Sequence, residues 1–201
     1  MEIGFFIEPE NFLNKKIIFW KKKFTNKFSI QKYIFHPPHL TLCTMQISKN
    51  FLYFLKQNKN LSIKTYKSKL IKININRCDY FKNDPITKSF TLFYSVNRNI
   101  DLQKIQKTIL NKFLKFKLNK IKKNIFLNKN LKNSYEKYTY PFTGKNFLPH
   151  FTIASFNASL NNPLIQDFLN QKINYTQNIN IVSIWIIKND YHKKIGEISI
   201  L

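Results

Sequence analysis

Apolar positions along this chain keep two rhythms, one of period two and one of period 3.6, and the same succession of rhythms occurs twice. Ile3 to Ile7 is a short apolar run ending at Glu8-Pro9, which predicts a strand leading into a helix with proline in its first turn. Leu13, Ile17, Trp20, Phe24 and Phe28 then recur at helical spacing, with lysines on the other faces. Farther along, Phe90 to Val96 predicts a strand and Asp101 the N-cap of a second helix. Its apolar stripe is Leu102, Ile105, Ile109, Phe113 and Phe116. Short helices are expected from Ser48, carrying Phe51, Leu52, Phe54 and Leu55, and from Asn162-Pro163, carrying Leu164, Ile165, Phe168 and Leu169. After each comes a strand, an Asn-Asp turn and another strand.

The two series contain an internal repeat. Pro38-His39-Leu40-Thr41-Leu42-Cys43-Thr44-Met45 aligns with Pro149-His150-Phe151-Thr152-Ile153-Ala154-Ser155-Phe156, with Pro, His and Thr identical. Ile73-Asn74-Ile75 runs on to Lys82-Asn83-Asp84 as Ile179-Asn180-Ile181 runs on to Lys188-Asn189-Asp190. The chain therefore reads as one domain, 1–201, built from repeats of roughly 1–96 and 90–201. The helix start lies 28 residues before the histidine in the first copy (Asn11 to His39) and 49 before it in the second (Asp101 to His150). The surplus falls in 118–140, a Lys- and Asn-rich stretch of weak periodicity that predicts an exposed loop.

Composition adds bounds. At 201 residues, with 43% hydrophobic and 16% aromatic residues, the chain can bury a real core and is no disordered tail. Its net charge of +24 suggests polyanionic partners. The charge is nearly all lysine, however, with only Arg77 and Arg98 beside it, and Lys, Asn, Ile, Phe and Tyr are the residues of A/T-rich codons. Selection for phosphate recognition would favour the arginine fork, so the charge alone identifies no partner. Cys43 and Cys78 stand 35 positions apart, which fits neither a disulfide framework nor a zinc site. No basic segment precedes an apolar one at Met1-Glu2-Ile3-Gly4, and the longest uncharged run, Asn146 to Gln166, is too polar to span a bilayer. A soluble, cytoplasmic, monomeric protein is expected, away from membranes.

Each octapeptide predicts a buried central strand. Residues two apart share a face, so His39 and Thr41 point one way and Leu40 and Leu42 the other, with His150 and Thr152 arranged alike. On this alternation Cys43 shares the His39 face. Two facing imidazoles suit phosphodiester cleavage, one neutral ring taking a proton while a protonated ring gives one. The threonine hydroxyls can donate to the non-bridging oxygens. No Asp or Glu cluster accompanies the motifs, so no cofactor or metal is expected. A phosphate bridging both rings requires them within roughly 5–8 Å. His36 reads as a loop residue, His192 as a solvated residue of the turn from Asp190 to Lys194. The approach Tyr140, Phe142, Lys145 and Phe147 reads as packing.

The paired His39-Leu40-Thr41 and His150-Phe151-Thr152 resemble the signature of the two-histidine (2H) phosphoesterases, which include the bacterial 2′-5′ RNA ligase and cyclic phosphodiesterases. The resemblance implies an α+β fold of two lobes related by a pseudo-twofold, an antiparallel sheet with helices in each lobe, and an active cleft between them. It also implies metal-independent hydrolysis of 2′,3′-cyclic phosphate or 2′-5′ bonds in RNA or a small cyclic nucleotide. His39, Thr41, His150 and Thr152 would be catalytic, with His150 activating water and His39 protonating the leaving oxygen. Two other readings remain open here: a non-catalytic nucleotide or RNA-binding module using the same cleft, and a basic RNA-binding protein acting through the 118–140 arm.

Overall fold

The elements follow one another as β1 (Glu2–Ile7), α1 (Asn11–Lys27), β2 (Leu40–Gln46), α2 (Asn50–Gln57), β3 (Leu61–Ile63), β4 (Ile71–Phe81) and β5 (Phe90–Val96). The second series is α3 (Ile100–Phe113), α4 (Lys129–Tyr138), β6 (His150–Phe156), α5 (Pro163–Leu169), β7 (Tyr175–Ile179), β8 (Ile181–Lys188) and β9 (Tyr191–Ile200). This computed structural model describes residues 1–28, 36–64, 71–84, 87–118, 129–188 and 191–201. The Asn189-Asp190 turn and positions 119–128 of the insertion lie outside the described residues.

The apolar stripes are the buried faces. Helix α1 buries Leu13, Ile17, Trp20 and Phe24, and α3 buries Leu102, Ile105, Ile109 and Phe113. The cap of α3 is Asn99 rather than Asp101: its side chain accepts from the backbone N–H groups of Asp101 and Leu102. Asn162 caps α5 ahead of Pro163 as expected. The insertion is not all loop. Its described part forms α4, which turns Leu131 and Tyr135 inward, a two-residue stripe too short to rise above the surrounding Lys and Asn. Tyr140 and Phe147 are core residues. Among the described residues no helix is long and apolar enough to cross a membrane.

The architecture is α+β, a nine-stranded sheet in the order β3-β9-β8-β1-β2-β6-β5-β4-β7, antiparallel except for β3 beside β9. Its halves meet where β2 and β6 pair at one point, Leu40 opposite Phe151. The halves of the sheet are not the halves of the chain. The hairpin β4–β5 joins β6 through β5, while β8–β9 joins β1 through β8, so each repeat lends its hairpin to the other half-sheet. The reason is that β5 closes the first repeat and also opens the second. It pairs with β6 as β1 pairs with β2, and carries β4 along. The division at 1–96 and 90–201 is crossed by this exchange. Helix α1 backs β6, with Phe24 against Phe156 at a centroid distance of 5.4 Å, and α3 backs β2 and its neighbour β1, with Phe113 against Phe5 of β1 at 5.2 Å. The opposite face of the sheet carries the repeated motifs.

Candidate active site

The register at the junction brings the two motifs together. With Leu40 opposite Phe151 in an antiparallel pair, His39 stands across from Thr152 and Thr41 across from His150. Leu40 and Phe151 are wholly buried on the helix side, so the two imidazoles and two hydroxyls share the other face. The histidines are diagonal neighbours, a relation that places residues about 7–8 Å apart.

Each motif ends in a β-bulge, at the same place in both copies. Phe5 lies opposite Cys43 and Phe6 opposite Thr41, which leaves Leu42 as the extra residue of β2. Leu92 lies opposite Ala154 and Phe93 opposite Thr152, which leaves Ile153 extra in β6. A bulge bends the strand and resets its alternation. This overturns the expectation for Cys43. Beyond Leu42 the faces exchange, and Cys43 sits opposite Phe5 in the core, fully buried, with its thiol pushed above the ordinary range by that burial. The bulge carbonyl of Leu42 accepts 2.7 Å from Nε2 of Gln106, a buried residue of α3. Gln106 also donates to Phe142 O and accepts from Gly144 N–H. It thus ties the first motif to the segment that leads into the second. Its only sequence signal was an amide inside an apolar stripe.

The two histidines are held alike. Nδ1 of His39 lies 2.7 Å from Pro37 O, and Nδ1 of His150 lies 2.7 Å from Leu148 O. A carbonyl can only accept, so each Nδ1 carries a proton, which leaves Nε2 as the accepting nitrogen of the neutral ring. Each ring rests on a phenylalanine of the neighbouring strand: His39 on Phe6 at 3.9 Å, His150 on Phe93 at 4.8 Å. Phe6 can reach His39 because it lies over Gly4, where an added Cβ would stand 2.1 Å from the ring. The substitution Gly4→Ala must therefore displace Phe6. A loss of about 1–3 kcal/mol in stability is expected, the cost of overpacking, together with a fall in any activity that depends on His39. Urea unfolding and a turnover assay on the same variant check both.

The surroundings of the two rings differ. His36 is a loop residue as expected, while His192, against expectation, is no solvated turn residue. His36 is buried, and His192 lies half-buried on β9, its ring 3.9 Å from His36 and 5.6 Å from His39. Nζ of Lys21, buried on α1, donates to His36 O at 2.7 Å. Burial holds His39 down at about 3, and the charges of His192, Lys21 and His36 push the same way against the bond to Pro37. His150 is also lowered by burial, but the Leu148 carbonyl and the Asp84 carboxylate pull it back. Asp84 belongs to the Lys-Asn-Asp repeat, so the second motif has a nearby carboxylate that sequence reading did not place. A groove of about 620 Å³ lies at the far end of β6, lined by Lys82, Lys88, Ser89, Asn157 and Ser159 among others. It contains neither motif, so volume does not mark the chemistry here.

No family model and no curated protein matches this chain. Among solved structures, it is similar over 99% of its length to TT0787 of Thermus thermophilus, with a TM-score of 0.62, 12% identity and 97% of that chain covered. It is also similar over 99% of its length to E. coli LigT in complex with 3′-AMP, with a TM-score of 0.53, 11% identity and 97% of that chain covered. At these identities the likeness is one of fold.

Proposed function

We propose that this chain is a 2H phosphoesterase that opens 2′,3′-cyclic phosphate, or cleaves a 2′-5′ bond, in RNA or a small nucleotide, without a metal. The observation that carries the reading is the crossing at Leu40 and Phe151, whose register puts His39 across from Thr152 and Thr41 across from His150. The fold shared with LigT, whose structure holds the nucleotide 3′-AMP, supports it.

In the ring-opening reaction, one Nε2 takes a proton from water as the water oxygen bonds to phosphorus. The other Nε2–H gives its proton to the ribose oxygen as the P–O bond breaks. Thr41 and Thr152 donate to the non-bridging oxygens, where negative charge grows. The charges favour His39 as base and His150 as acid, the reverse of what the family resemblance implies. A proton on His39 is opposed by Lys21, His36 and His192, whereas a proton on His150 is favoured by Asp84. The arriving phosphodiester anion raises both imidazoles, and His150 is the one to take the proton.

The sign of the pH dependence follows. In the free protein the acid His150 titrates below the ordinary histidine value, so kcat/KM should fall as pH rises through that range. The base His39 is lost only near its value of about 3. The optimum of kcat/KM is therefore expected on the acidic side of about 6.5, and kcat, which reads the anion-bound state, should persist to higher pH. Profiles measured on a 2′,3′-cyclic mononucleotide check this, and product regiochemistry across longer substrates reads out the preferred bond. A kcat/KM that keeps rising to pH 9 would contradict the assignment.

A further inference from the structure

The face of the sheet that carries the two motifs stays polar to the far end of β6. Beyond the bulge at Ile153, Ser155 lies opposite Thr91 of β5, and both return to the face of Thr152. Their hydroxyls are 2.8 Å apart, and Ser155 also bonds Ser89 at 2.8 Å and Thr87 at 3.0 Å. Thr87 and Ser89 are thereby fastened over the end of β6. The backbone beside them closes on itself, with Lys88 N–H donating to Asp84 O at 2.8 Å and Asp84 N–H to Ser89 O at 2.9 Å. This holds the exposed Lys88 at a φ of 59°. Ser89 is also a wall of the groove of about 620 Å³, a volume typical of ligand sites. Lys82 and Lys88 line that groove with Asn83, Asn157 and Ser159, and none of its described lining residues is acidic.

We propose that this groove is a second binding site, for the sugar–phosphate backbone of single-stranded RNA, and that it holds a long substrate several nucleotides away from the bond that is cleaved. The inference rests on the reaction proposed above. From His150 to Phe156 the strand advances about 3.3 Å per residue, roughly 20 Å in all. A stacked nucleic-acid strand advances about 3.4 Å per nucleotide, so the gap corresponds to about six stacked nucleotides and to fewer in an extended strand. Lysine suits such a contact. Its ammonium is a point charge on a flexible stem and meets a phosphate without demanding one geometry, so binding here follows charge and length rather than base sequence. The neighbouring amides and hydroxyls can donate to the phosphate and sugar oxygens. On the other half-sheet, by contrast, Lys194 is paired with both Glu8 and Glu197 at 2.7 Å, and its charge is not offered to a phosphate. A strand leaving the two histidines therefore meets free positive charge along β6.

The test is the double variant Lys82→Gln with Lys88→Asn, asparagine being a residue that tolerates a positive φ. Both lysines are exposed, so neither change removes packing. The control is Lys15→Gln with Lys22→Gln, which removes the same charge from the exposed side of α1, on the helix side of the sheet. Binding of fluorescent octadeoxythymidylate, which has no 2′-hydroxyl to react, is followed by anisotropy across a salt series. The slope of log affinity against log salt should become shallower by about 0.7 for each groove lysine and stay in place in the control. The KM of an octaribonucleotide ending in 2′,3′-cyclic phosphate should rise in the groove variant, while the kinetics of a cyclic mononucleotide stay as in the wild type. An unmoved slope, or an equal change in the control, overturns the inference and leaves the reaction standing. A shallower slope with an unmoved octamer KM overturns the link between groove and site. A shallower slope in a protein whose wild type opens no cyclic phosphate overturns the reaction and leaves the groove as a strand-binding site.

Discussion

Replacing His39 or His150 with alanine is expected to lower kcat by about 10²–10⁴, the usual worth of a positioned proton-transfer group. Each ring is fixed through Nδ1 to its own carbonyl, Pro37 O or Leu148 O, and packed on its own phenylalanine. Among the described residues, no neighbouring side chain stands ready to take over the lost Nε2 in the same geometry. His192 lies beside His39, but its ring is packed against His36 and Phe6. The double variant should be little worse than either single one, because a base without its acid leaves the same slow step. Thr41→Ala and Thr152→Ala should each cost less, about tenfold to a thousandfold, since one hydroxyl is part of a shared ligation. Single-turnover rates on a cyclic mononucleotide measure all five. Full activity in either single histidine variant would overturn the assignment.

Phe151→Ala should be the most damaging single change to the fold. Phe151 is fully buried, packs beneath the sheet opposite Tyr94, and supplies half of the residue pair that joins β2 to β6. Truncating a buried phenyl costs about 3–5 kcal/mol through lost burial and the cavity left behind. In a chain of this size that corresponds to a melting temperature lower by roughly 10 °C. The loss should reach function as well, because the same pair sets His39 across from Thr152. Ile181→Ala, at a partly exposed position of β8, is the control and should stay within about 0.5 kcal/mol. Calorimetry on the two variants decides the matter.

Where side-chain periodicity carries the information, the sequence was enough. The stripes of α1 and α3, the strand at Phe90–Val96 and the cap at Asn162 stand where their spacing puts them. The repeat also disclosed the four residues that meet at the junction, because a duplicated strand crossing its own copy brings like positions together. What was hidden depends on pairing. Hairpin exchange is invisible to local pattern, since β5 has the same residues whether it closes one unit or opens the next. The bulges at Leu42 and Ile153 break strict alternation without any glycine to announce them, and for that reason alternation alone puts Cys43 on the wrong face. His36 and His192 are 156 residues apart in the chain, yet their rings touch. Only the pairing of β8 and β9 outside β1 brings the second of them back to the first motif.

The central claim is that two imidazoles alone move the protons of phosphodiester cleavage. Incubating the purified protein with a 2′,3′-cyclic mononucleotide, with and without EDTA, and separating the products tests it most directly. The account predicts a ring-opened nucleoside monophosphate formed at the same rate in both samples, and formed by neither the His39→Ala nor the His150→Ala variant above its residual rate. Turnover that vanishes on chelation and returns with Mg²⁺ or Mn²⁺ would mean that the histidines serve a metal, and would contradict it.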